Sequence, residues 1–150
     1  MEKDFFLREI EAQSGLMYRV AYTILQNDDA CRDAMQDTAL KAWEKRETLR
    51  EERYFRTWIT RILINACYDQ RRGQTRVSPV EALPEATVPP PDPMLSIALQ
   101  KLPDKLRLPL VLCCAEGMAY AEVARALHLP EATVRGRIAR AKERLRKELR

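Results

Sequence analysis

Histidine is almost missing from this 150-residue chain; His128 stands alone. The four cysteines, Cys31, Cys67, Cys113 and Cys114, show no Cys-x-x-Cys spacing, so the sequence supports neither a zinc site nor a disulfide framework, and buried free thiols are expected. Glycine is scarce too. With Gly15, Gly73, Gly117 and Gly136 as the full set, no glycine-rich loop can cradle a phosphate, and no cluster of His or Cys offers a catalytic constellation. The chain is therefore not expected to be an enzyme, and no metal or small-molecule cofactor is implied. Long apolar runs are lacking as well. Residues 108–115 fall far short of the roughly 20 that a membrane span requires, and no secretory leader pattern opens the sequence, so the cytoplasm is the expected location. No proline precedes Pro79, so the first 72 residues are free to run as long helices.

What is present reads as helix. Ile10, Met17, Val20, Ala21 and Ile24 mark a first helix over about residues 4–26. Asn27, Asp28 and Asp29 end it and cap a second, about 29–46, because short polar side chains accept hydrogen bonds from free backbone amides. That second helix turns Cys31, Met35, Thr38 and Ala42 to one face, with Trp43 beside them, and presents Asp33, Gln36, Asp37 and Lys41 as a polar ridge. By itself such a ridge is what any solvated helix face shows. A polar loop at 49–53 leads to a third helix, about 54–72, with Phe55, Trp58, Ile59, Ile62, Leu63 and Ala66 at core spacing. Its aromatics alternate with Arg56, Arg61, Arg71 and Arg72, a mixture that suits single-stranded nucleic acid because bases stack on rings while cations meet phosphates. Phe55 and Trp58 serve equally well as core anchors. Tyr54 lies off that stripe.

Six of the nine prolines fall within 74–93, which reads as an extended linker holding two domains apart. Beyond it come a short helix at 94–101, a break at Leu102-Pro103, a helix at about 104–115 and a turn at Gly117. Ala121, Val123, Ala124 and Leu127 then recur at helical spacing until His128-Leu129-Pro130 interrupts them, with Pro130 suited to the first position of the next helix. In that last helix Val134, Ile138, Ala141 and Leu145 draw one apolar stripe, and arginines fill much of the rest: a helix-turn-helix pattern. Charge follows the same division. Residues 1–76 carry 14 Lys and Arg against 13 Asp and Glu, while 104–150 carry 11 against 6, so the C-terminal part is the one expected to meet a polyanion. The fold class is all-α, with two small helical domains.

Two sets of residues, in order, resemble the extracytoplasmic-function sigma factors of the sigma-70 family. RVAYTILQNDDACRDAMQDTALKAW followed by YFRTWITRILINACYDQRR is similar to that family's region 2, and LPDKLRLPLVLCCAEGMAYAEVARALHLPEATVRGRIARAKERLRKEL to its region 4. The resemblance implies region 2 over 1–73, a linker over 74–93 and region 4 over 94–150. It implies docking on core RNA polymerase through Asp33, Gln36, Asp37 and Lys41. It implies capture of −10 promoter DNA by Leu49, Arg50, Arg53, Tyr54, Trp58, Arg61 and Asn65, with Trp58 mostly in the core. It implies −35 contacts from Thr133, Arg135, Gly136, Arg137, Arg140 and Arg144, base readout resting on Arg135 and Arg140, with Glu131 capping the helix. An anti-sigma factor is an implied partner. The rival reading, a stand-alone helix-turn-helix regulator, needs only the C-terminal half and leaves the ridge and the aromatic-cation helix without a use.

Overall fold

The structure, a computed structural model, describes residues 1–73 and 93–149. The expected linker lies outside the described residues except for Pro93, which opens a helix. The chain divides into two compact units, Met1–Glu85 and Ala86–Arg150, and every regular element among the described residues is helical.

In the first unit the expected opening helix is two: α1, Lys3–Ala12, and α2, Ser14–Leu25. The break is one residue wide. Gln13 leaves helical geometry while the Ser14 hydroxyl donates to the Glu11 carbonyl at 2.7 Å, the local bonding by which serine competes with a helix ladder. Gln26 then turns left-handed, and the Asn27 side chain caps α3, Asp28–Glu44, by accepting from the Ala30 amide at 2.8 Å. Tyr18 donates to Asp28 at 2.6 Å and Arg32 pairs with it at 2.9 Å; the tyrosine bond is the main reason the carboxyl titrates below its ordinary range. The chain passes through short 3₁₀ turns at Arg46–Thr48 and Glu52–Tyr54 into α4, Phe55–Arg72. Met17, Val20, Ala21, Cys31, Ala34, Phe55, Ile59 and Leu63 form the core where α2, α3 and α4 meet. Burial pushes the Cys31 and Cys67 thiols up to about 12, as inert core thiols should be.

The second unit begins with α5, Pro93–Gln100, and α6, Asp104–Leu110. Here the expected helix to residue 115 is cut short. Pro109 cannot donate to the ladder, and Val111–Ala115 widens into a π turn closed by the Glu116 amide on the Val111 carbonyl at 3.1 Å. Cys113 is half-buried and Cys114 exposed on this turn, so the expectation of buried thiols holds only for Cys31 and Cys67. Gly117, at φ +71°, permits the bend into α7, Tyr120–Leu127. The helix-turn-helix closes with α8, Glu131–Glu148, whose Val134, Ile138 and Ala141 are buried. Pro130 precedes α8 in extended geometry, one position earlier than expected.

His128 ends α7 in the left-handed region, φ 58° and ψ 48°, where a β-carbon costs about 1–2 kcal/mol. His128→Gly should therefore raise the stability of this unit by a few tenths to about 1 kcal/mol, after the unfolded chain's gain in freedom is deducted. Chemical denaturation of the two proteins checks this.

Candidate functional site

Along α3 each residue advances about 100° around the axis, which places Leu40 half a turn from buried Cys31. Leu40 is 67% exposed. Asp33, Gln36 and Asp37 surround it on the same outer face, so the polar ridge has an apolar centre that a polar-versus-apolar reading passes over. The signal was there: Leu40 follows Asp33 by seven residues, two helical turns.

Lys41 leaves the ridge. Its ammonium lies 2.9 Å from Asp37 and 3.7 Å from Asp69 of α4, and the bond to Asp37 is the chief cause of its raised pKa. It thereby joins the wall of a cleft of about 490 Å³ with Lys45, Ile62, Asn65, Tyr68, Asp69 and Arg72. The structure thus brings together Lys41 and Asn65, which the sequence assigned to different partners. Lys45, Ile62, Tyr68, Asp69 and Arg72 are the additions. Lys45, just past the end of α3, follows Lys41 by four residues, and Arg72 follows Asn65 by two turns of α4, so both were legible as helical neighbours.

The loop beside the cleft is pinned at its base. The Trp58 indole donates to the Thr48 hydroxyl at 2.9 Å, and that hydroxyl donates onward to the Lys45 carbonyl at 2.6 Å. Trp58 also packs on Phe55 at 5.5 Å between centroids and is half-buried, a wedge at the core's edge and not a full core residue. Leu49 is half-buried, and Arg50, Arg53 and Tyr54 are exposed. Arg53 pairs with Glu51 at 2.9 Å and sits over the Tyr54 ring at 4.7 Å. Arg61 and Asn65 are exposed along α4.

In the second unit, helical geometry sorts the candidate residues of α8 into two flanks. Thr133, Gly136, Arg137, Arg140 and Arg144 share one side. Arg135 is about 140° around the axis from Arg140 and belongs to the other, so the two residues expected to read bases together do not share a face. Glu131, expected to cap the helix, instead pairs its carboxylate with Arg135 at 2.8 Å. The Arg140 guanidinium folds back on the Gly136 carbonyl at 3.3 Å, and a β-carbon at Gly136 would meet that same guanidinium at 3.4 Å. Gly136 therefore leaves room for the neighbouring arginine as well as for an approaching backbone.

Residues 10–77 match the Sigma-70 region 2 family and residues 95–145 match Sigma-70, region 4. The sigma factor SigM of Mycobacterium tuberculosis is 31% identical, the match covering 86% of this chain and 69% of SigM. The chain belongs to the ECF sigma factors of the sigma-70 family. SigE of Mycolicibacterium smegmatis is 33% identical over 91% of this sigma factor, which spans 58% of the length of SigE. The sigma factor RpoE from Bartonella quintana, solved in complex with the anti-sigma factor NepR, superimposes with a TM-score of 0.80 at 25% identity, covering 99% of this chain and 98% of RpoE. Family membership makes this chain a transcription initiation factor, in preference to a stand-alone helix-turn-helix regulator. No helix among the described residues is long and apolar enough to cross a membrane.

Proposed function

We propose that residues 1–73 dock on core RNA polymerase and hold opened −10 DNA, that 94–150 grip −35 duplex, and that 74–93 join them. Docking uses Asp33, Gln36 and Asp37 around Leu40. The cleft between α3 and α4 takes an unpaired base, with Asn65 offering both donor and acceptor to its edge and Lys41, Lys45 and Arg72 drawing in the backbone. Leu49, Arg50, Arg53 and Tyr54 border the strand on the exposed loop, with Trp58 and Arg61 on the adjoining face of α4. Thr133, Arg137, Arg140 and Arg144 meet the duplex across one side of α8. An anti-sigma factor is a further proposed partner, supported by the structural likeness to RpoE, which was solved with one.

The observation that carries this reading is the outer face of α3, where a leucine 67% exposed sits among acidic and amide side chains. A regulator that worked through its helix-turn-helix alone would have no use for it. Run-off transcription with bacterial core polymerase on randomised promoters tests the proposal: the chain should select a defined pair of elements. Transcription indistinguishable from core polymerase alone would refute it.

On the selected promoter, Arg140→Ala should weaken binding by about 1–3 kcal/mol and relax preference at one base pair, the loss of one bidentate base contact. Profiling the variant across altered −35 sequences checks this. A uniform loss with unchanged preference would show that Arg140 touches only phosphate.

A further inference from the structure

Arg135 differs from the other arginines offered to DNA. Arg137, Arg140 and Arg144 have no carboxylate within ion-pair distance among the described residues, whereas Arg135 is held at 2.8 Å by Glu131, one turn earlier on α8. Its guanidinium also lies over the Tyr120 ring, 5.5 Å from the centroid, at the start of α7. Glu131 precedes Arg135 along the helix, the favourable orientation for such a pair. Among the described residues Arg135 is the hydrogen-bond partner of the Glu131 carboxylate. The side chains are 63% and 45% exposed, which makes the pair weak enough for an incoming phosphate to displace.

We propose that Glu131 is an internal substitute for DNA phosphate, one that neutralises Arg135 away from the promoter and so widens the margin between −35 and random duplex. The proposal rests on the sigma-factor reading and adds a specificity-determining residue to it. On random DNA every exposed cation contributes by releasing counterions, and sequence plays no part. A cation already paired with a carboxylate releases fewer. At the −35 element the Arg140 flank fixes α8 in place, a phosphate beside Arg135 is presented at close range, and the exchange of carboxylate for phosphate proceeds. Glu131 thus subtracts more from random binding than from promoter binding.

The test uses the holoenzyme, a promoter duplex selected by transcription and a random duplex of equal length. Glu131→Gln keeps the shape and removes the charge. It should raise random-duplex affinity about two- to fivefold, the range of an exposed ion pair. It should steepen the slope of log K against log salt by about 0.9, one further phosphate contact. The gain on promoter duplex should be smaller, so the specificity ratio falls. In an Arg135→Gln background the same substitution should change nothing. An equal gain in that background would show that Glu131 merely repels DNA, and an unchanged slope in the single variant would show that Arg135 was never restrained; either overturns the proposal alone. A wild-type holoenzyme that selects no promoter overturns the sigma-factor reading, and this proposal with it.

Discussion

Arg107→Ala should unfold most of the second unit at physiological temperature. Arg107 is only 8% exposed, and its guanidinium donates to the carbonyls of Leu99 at 2.8 Å, Gln100 at 3.1 Å and Leu102 at 2.6 Å, with Asp104 at 3.2 Å. It closes the C-terminal end of α5, where the Leu99 carbonyl also accepts the Leu102 amide at 3.1 Å and the last carbonyls of a helix otherwise lack intrahelical partners. Removing it takes a donor from three carbonyls and an ion-pair partner from Asp104, at a cost of about 1–3 kcal/mol for each buried acceptor left unsatisfied. A unit of this size has a total stability of about 3–9 kcal/mol, so the substitution removes a large part of it. Arg107→Lys should recover little, since one ammonium cannot reproduce a planar fork spread over three carbonyls. Thermal melting followed by far-ultraviolet dichroism checks both variants. The transition of the second unit should fall by tens of degrees or vanish, and an unmoved melting curve would show that the carbonyls find other donors.

Arg107 also marks where sequence reading stops. Counted by charge it joins the basic surface of the C-terminal part, yet it is internal, and neither periodicity nor composition separates it from Arg135 or Arg140. The elements were legible because their signals are local. Asn27-Asp28-Asp29 caps α3, the stripe of Val134, Ile138 and Ala141 gives α8 its buried face, and Gly117 and Pro130 bracket α7 on the two sides where it must turn. What was lost depends on side chains meeting across helices or on small shifts of backbone bonding. The one-residue break at Gln13 turns on a single serine hydroxyl, and the π turn at Val111–Ala115 on a shift of one residue in backbone bonding. Lys41 reads as part of a ridge because spacing gives the direction of its β-carbon; the four-carbon stem then carries the charge toward Asp69. Arg135 and Arg140 look equivalent in a basic run until their positions around the axis are counted.

Leu40→Ala should weaken the complex with core RNA polymerase about tenfold or more and leave the fold untouched. The side chain is 67% exposed and faces away from the core of α2, α3 and α4, so truncation opens no cavity, and alanine's helix propensity is at least that of leucine. At a docking surface its fate is different: burying a leucine is worth about 1.5–3 kcal/mol, close to a hundredfold in affinity at the upper end. Gln36 and Asp37 flank it and supply the polar rim, where each lost hydrogen bond across an interface costs about 1–3 kcal/mol. Among the described residues Asp37 pairs with Lys41 at 2.9 Å, an exposed pair one turn apart worth about 0.3–0.5 kcal/mol, so Gln36→Ala with Asp37→Ala should also fold normally. The decisive measurement takes thermal midpoint and core-polymerase affinity on the same preparation of Leu40→Ala. An unchanged midpoint with affinity reduced about tenfold or more is the predicted result. A stable protein that binds core polymerase as tightly as the parent would contradict the assignment of this face to docking.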